Sequence, residues 1–202
     1  MQIFSILKKI PIDFGQGNLR HTTKGKQIAL ELVGKGDTTK TVLDVGCRDG
    51  HFSKRLESSG FITTSIDIEC AYERCQRVDA NRPLPFPDQT FDRIWCSEVI
   101  EHLNDPAAVI HEFRRVLKPG GFAVFTTPNS TIWLYAILRL FGKRPKDTQN
   151  PGHIHFFGTK DIIALGPRDN VLYGYFPYLF LKFRIRHLVG LLSPTFIFVI
   201  KK

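Results

Sequence analysis

Glu98, Glu101 and His102 fall in the run SEVIEHL at positions i, i+3 and i+4. On a helix these three side chains share one face, and two carboxylates beside an imidazole can bind a divalent cation or move a proton. A later run, GHIHFF, offers His153 or His155 as a further nitrogen donor. The same residues also suit an ordinary helix, because acids in a first turn and a histidine near an end complement the helix dipole. Spacing by itself leaves both readings open.

A second candidate lies upstream in VLDVGCRDGHF, Val42 to Phe52, where Gly46 and Gly50 bracket a turn behind a β-branched run. Glycine leaves the backbone bare to a ligand, and a helix after the turn presents free amides. Such a site holds a carboxylate as readily as a phosphate. With arginine at position 48 the stretch departs from the dinucleotide pattern G-x-G-x-x-G. Asp67 closes the next apolar run, SIDIE, about 20 residues further on, the interval at which a strand-end acid reaches ribose hydroxyls.

These residues can converge only on a scaffold that brings strand ends together. TKGKQIALELVGKG has the spacing of a short amphipathic helix ended by glycine. TVLDVG, FITTSIDIE, TFDRIWCSEV and FAVFTTP read as strands, and HFSKRLESSG and AAVIHEFRRVL as helices. Asp105 followed by Pro106 marks a helix start, since aspartate caps and proline suits the first helical position. Strands alternating with helices predict a mostly parallel sheet covered on both faces, with ligands gathered outside the carboxyl ends of the strands. A short helix, a strand near NVLYGYF and a final strand TFIFVIKK complete the chain.

With 202 residues and 43% hydrophobic content the chain has the makings of one folded domain. Its formal charge of +9 favours an anionic partner, whether nucleic acid, a membrane surface or a charged metabolite. Cys47, Cys70, Cys75 and Cys96 lack paired C-x-x-C spacing, and reduced thiols in a cytoplasmic protein are expected. The N-terminus lacks the order of a secretory signal, and no run reaches the roughly 18 apolar residues of a membrane span.

In order, LDVGCRDG, SIDIE, VDANRPLPFPDQTFDRIWCSEVIEHL and EFRRVLKPGGFAVFTTPN resemble the successive motifs of class I S-adenosylmethionine-dependent methyltransferases, of type 11/23. The Glu-x-x-Glu-His segment also resembles the metal-binding segment of ubiquinone-biosynthesis O-methyltransferases and of small-RNA 2′-O-methyltransferases. The resemblance implies a three-layer, Rossmann-like α/β fold with a mostly parallel seven-stranded sheet and one antiparallel strand near the C-terminus. It implies a single domain: residues 1–20 an arm, 40–130 the cofactor-binding core, 131–157 an aromatic and histidine-bearing insertion, 171–202 a C-terminal elaboration. It further implies that Asp44 accepts from the ammonium of S-adenosylmethionine, with Gly46, Cys47 and Gly50 forming the turn against it. Asp67 would take the ribose hydroxyls, Ile68 and Ala80 would lie beside adenine, Asp79 would accept from its amino group, and Ser97 would border the sulfonium. Glu98, Glu101, His102 and His153 would hold Mg2+ or another divalent cation, or His102 would serve as general base.

After the fourth strand the chain reads CSEV, not the Asn/Asp-Pro-Pro-aromatic segment of amino-directed nucleic-acid enzymes, and Cys96 lacks the proline that precedes a cytosine-C5 nucleophile. The expected reaction is O-methylation of a small hydrophobic or anionic molecule. RNA 2′-O-methylation is the enzymatic alternative. A cofactor-binding regulatory or assembly protein is the non-enzymatic one, because TKDIIALGPRDNVLYGYF is shorter than the corresponding region of relatives. Trp133, Leu134, Ile137, Leu138 and Phe141, then Tyr178, Phe180 and Phe183, could cover the acceptor pocket or pack in the core. Interleaved cations (Arg139, Lys143, Arg144, Lys146, then Lys182, Arg184, Arg186) suit contact with an anionic membrane or with RNA phosphates.

Overall fold

The computed structural model describes residues 23–166, 171–176 and 183–202. The N-terminal arm, together with Tyr178, Phe180 and Lys182, lies outside the described residues. Thr23 accepts the amide of Lys26 and caps α1 (Lys24–Val33), which ends at Gly34 with φ 80°. The chain then runs through β1 (Thr41–Val45), α2 (His51–Ser58), β2 (Ile62–Asp67), β3 (Cys75–Arg77), β4 (Phe91–Ser97), α3 (Pro106–Val116) and β5 (Leu117–Pro128). It closes with α4 (Trp133–Leu140), α5 (Thr159–Ala164), β6 (Val171–Tyr175), β7 (Arg184–Ile185), α6 (Val189–Leu192) and β8 (Thr195–Lys201).

Among the described residues the strands form one eight-stranded sheet in the order β3-β2-β1-β4-β5-β8-β6-β7. The first five in that order pair in parallel, while β8 runs antiparallel to both β5 and β6. This is the expected mostly parallel sheet with an antiparallel C-terminal strand. The eighth strand is the two-residue β7, which pairs antiparallel with β6 through Gly174 and Tyr175, so two C-terminal strands rather than the expected one run against the sheet. The short edge strand β3 was also beyond the sequence reading, because CQR carries no apolar alternation.

Successive strand residues bury on opposite faces, which gives two cores. On one face α3 packs Val109, Ile110 and Phe113 against Leu43, Ile94 and Phe125. On the other, α1 and α2 bring Ile28, Val33 and Leu56 onto Val42, Trp95 and Val124. Phe113, Phe125 and Phe198 stack in sequence, with centroids 5.9 and 4.7 Å apart. KPGG does not separate α3 from the following strand as expected. β5 begins at Leu117 directly after the helix, and its register against β4 shifts between Phe91 and Arg93, which accommodates Gly120 at φ 75°.

The expectation of reduced thiols fails for one pair. Cys70 and Cys75 form a disulfide across the turn between β2 and β3, with Cα atoms 5.5 Å apart. The loop joining these parallel strands brings together, across four intervening residues, two cysteines whose spacing suggested no partnership. Cys47 and Cys96 remain free and buried. No helix among the described residues is long and apolar enough to cross a membrane.

Asp105 accepts the amides of Ala107 and Ala108, each at 3.0 Å, and is the cap of the helix behind the candidate site. Asp105→Ala should therefore lower stability by about 1 kcal/mol in chemical denaturation, without a change in the slope of the transition.

Candidate functional site

A crevice opens at the carboxyl ends of β1, β2 and β4, where the parallel strands release the chain into loops. Its floor is the turn after β1. The amides of Gly46 and Cys47 both donate to the carbonyl of Ile66, at 2.8 and 3.1 Å. The turn itself takes φ 77° at Gly46, 49° at Arg48 and 74° at Gly50. A Cβ on Gly50 would run into the ring of Tyr72, so this position is closed to side chains on steric as well as conformational grounds.

Asp44, 1% exposed, accepts a 2.6 Å hydrogen bond from the Ser53 hydroxyl, which in turn receives one from Ser65 at 2.9 Å. Burial pushes its carboxyl up to about 7, against the opposing hydrogen bond from Ser53. Asp67 accepts the amide of Arg48 at 2.8 Å on one oxygen and that of Glu69 at 3.0 Å on the other, leaving each oxygen a second lone pair. Ile68 is 61% exposed beside it and lines the crevice. Asp79 accepts from the backbone and side chain of Asn81 at 2.9 and 3.0 Å, and Ala80 follows on the same wall. Ser97 shares a 2.8 Å hydrogen bond with Thr126. Cys47 also lines the crevice, but burial beside Asp44 and Asp67 pushes its thiol up to about 12 and removes it as a nucleophile.

The ExxEH residues are not on one helix. Glu98 sits at φ 57° because its amide is drawn to the carbonyl of Thr126 at 2.9 Å, and only Ile100–His102 forms a single 3₁₀ turn. Glu98 turns aside and accepts from the Thr126 hydroxyl at 2.9 Å. Glu101, by contrast, is fully buried. One carboxylate oxygen accepts from Thr127 at 3.0 Å, and the other has no hydrogen-bond partner. Burial, then the charge of Glu98, raises its carboxyl well above the usual range.

The loop of residues 149–157 completes the cluster. The Glu101 carbonyl accepts the amides of Ile154 and His155 at 3.0 and 3.1 Å, which docks the loop over the 3₁₀ turn. His153 Nε2 thereby comes within 3.7 Å of the unpartnered Glu101 oxygen, and the rings of His102 and His153 meet at 4.7 Å. One donor atom each from Glu101, His102 and His153 lie within 4.8 Å of one another. His155 points elsewhere and stacks on Phe157. Desolvation, reinforced by His102, lowers His153 to about 4, so it is neutral at physiological pH. His102 Nδ1 lies 2.8 Å from the Gly152 carbonyl, which can only accept, so Nδ1 carries the proton and Nε2 is the basic nitrogen.

Two lining residues had no signal in the sequence reading. Lys26 of α1 is 8% exposed, faces the crevice and lies over Phe52 at 5.6 Å, but in the sequence it is one more polar residue of an amphipathic helix. Gln149, also at the crevice wall, stands in a polar loop whose fold the sequence did not reveal.

This fold and crevice define a nucleoside-cofactor methyltransferase architecture. The methyltransferase-domain family matches residues 20–166, and the chain belongs to that family. The ubiquinone biosynthesis O-methyltransferase of Histophilus somni (strain 2336) is 33% identical over 129 residues, 55% of this chain and 54% of its own. That of Hydrogenovibrio crunogenus is 30% identical over 145 residues, 62% of this chain and 59% of its own. The chain thus spans between half and three-fifths of these relatives. A SAM-dependent methyltransferase from Archaeoglobus fulgidus superposes with a TM-score of 0.62 over 91% of this chain and 97% of its own, at 19% identity, a likeness of fold alone.

A buried carboxyl titrating near 7 couples the binding of a cationic ligand to a proton. An ammonium held at Asp44, as the resemblance implies, would need the anion, so its binding below that pH would release the proton. S-adenosylhomocysteine affinity, measured calorimetrically, should fall about tenfold per pH unit below about 7, with proton release visible between buffers of different ionisation enthalpy. Asp44→Asn should flatten that profile.

Proposed function

We propose that the chain is an S-adenosylmethionine-dependent O-methyltransferase acting on a small hydrophobic or anionic acceptor, assisted by a divalent cation at Glu101, His102 and His153. The convergence of that acid and two imidazoles at the crevice, beside Ser97, carries this reading. The likeness to ubiquinone biosynthesis O-methyltransferases supports oxygen as the atom methylated.

The crevice fits the cofactor by its donor chemistry. Buried Asp44 and Lys26 supply opposite charges for an amino-acid end, Asp67 retains lone pairs for two hydroxyls, and exposed Ile68 offers an apolar surface to a flat base. S-adenosylmethionine brings an already activated methyl group, so the protein's task is alignment of the acceptor. The cation site also fits: Glu101 holds a buried oxygen without a hydrogen-bond partner, the kind of atom a cation satisfies. Two imidazoles with one carboxylate suit a first-row transition ion more than Mg2+. Such an ion would supply Lewis acidity to an acceptor hydroxyl. Without an ion, His102 Nε2, the nitrogen left once Nδ1 donates to the Gly152 carbonyl, would instead take the acceptor's proton.

Acceptor entry is served by α4. None of its residues is buried, and Ile137, Leu140 and Phe141 are 42, 83 and 73% exposed, close in sequence to Arg139, Lys143 and Arg144. Apolar side chains flanked by cations suit the interface of an anionic bilayer, and a hydrophobic acceptor would be delivered there.

Methyl transfer from labelled donor into an acceptor pool should fall about 10- to 100-fold with chelator or with Glu101→Gln. Indifference to both would remove the cation from the reading. The protein should float with anionic vesicles, and Leu140→Ser with Phe141→Ser should abolish this; retention of RNA at matched salt without flotation would favour a nucleic-acid acceptor.

A further inference from the structure

An imidazole can ligate or accept only through a nitrogen that carries no proton, so the usefulness of His153 to the cluster depends on which nitrogen its neighbours leave bare. Gln149 makes that choice from behind the ring. It is 9% exposed, and its amide oxygen lies 3.2 Å from His153 Nδ1. Its amide nitrogen faces two hydroxyls, Ser130 Oγ at 3.2 Å and Tyr135 Oη at 3.1 Å. Tyr135 belongs to α4 and itself accepts from Thr148 Oγ1 at 3.4 Å.

We propose that Gln149 is the positioning residue of this cluster: its amide oxygen keeps the proton on His153 Nδ1 and so turns a bare Nε2 toward Glu101 and His102. The competing arrangement is a flipped amide, with Nε2 carrying the proton and donating to Glu101. The distance disfavours it. At 3.7 Å the Nε2 to Glu101 separation is too long for a hydrogen bond, and that carboxylate oxygen remains without a partner. Since Gly152 fixes His102 in the same protonation pattern, both rings present Nε2 as the nitrogen with a free lone pair.

The catalytic consequence rests on the reading that this cluster serves the acceptor hydroxyl, but the tautomer can be measured without turnover. Long-range proton–nitrogen correlation spectra of histidine-labelled free protein at neutral pH should show His153 protonated at Nδ1. Gln149→Met, which cannot accept from Nδ1, should convert His153 to a mixed or Nε2-protonated state, whereas Gln149→Glu should keep the Nδ1 proton. Tyr135→Phe should broaden the His153 signals, because the amide loses one of its anchors. In Gln149→Met, turnover should fall about tenfold or more, as removal of an orienting partner does, while S-adenosylhomocysteine affinity stays at the wild-type value. A wild-type His153 protonated at Nε2, or a tautomer unmoved by Gln149→Met, would overturn the proposal. A tautomer that shifts with no loss of turnover would uphold the positioning and count against the proposed role of the cluster.

Discussion

The carbonyl of Ile66 accepts two amides, those of Gly46 and Cys47, and through that shared acceptor the turn after β1 hangs on the end of β2. Both sides of the crevice depend on it. With the turn held there, the Arg48 amide reaches the Asp67 carboxylate, so the acid that closes β2 is oriented by the loop that closes β1. Neither strand alone would place a carboxylate over a bare backbone. Parallel pairing in register, Val45 beside Ile66, is what brings the two ends level.

Around this arrangement the protein spends its burial unevenly. Asp44 and Glu101 are almost completely withdrawn from water, and each therefore resists ionisation until something positive arrives. Ile68 and α4 show the reverse: apolar groups left in solvent, which the proposed reading assigns to a nucleoside and to acceptor entry. Asp44, Glu101 and Ile68 all line the crevice, where such departures from ordinary burial serve binding rather than folding.

Much of this was legible in the sequence because it rests on local rules. The glycine turn from Val42 to Phe52, the Asp105 cap and the alternation of strands with helices each depend on residues within a few positions of one another. What escaped depends on distant partners. The helical spacing of Glu98, Glu101 and His102 is defeated by the pull of Thr126 on the Glu98 amide, 28 residues away in sequence. His153 could be named as a donor, but its selection over His155 follows from how the loop docks on the Glu101 carbonyl, which no periodicity encodes. Cys70 and Cys75 are expected as reduced thiols from their spacing, which says nothing of how the loop between β2 and β3 folds.

That loop has an evolutionary corollary. The disulfide closes a small loop whose Tyr72 ring fills the space that the absent side chain of residue 50 leaves, so two segments from different strand ends share one volume. Positions 50 and 72 are thus bound to vary together: an aromatic ring can persist at 72 only while 50 stays glycine, and a lineage that shrinks the ring leaves a hollow beneath the turn.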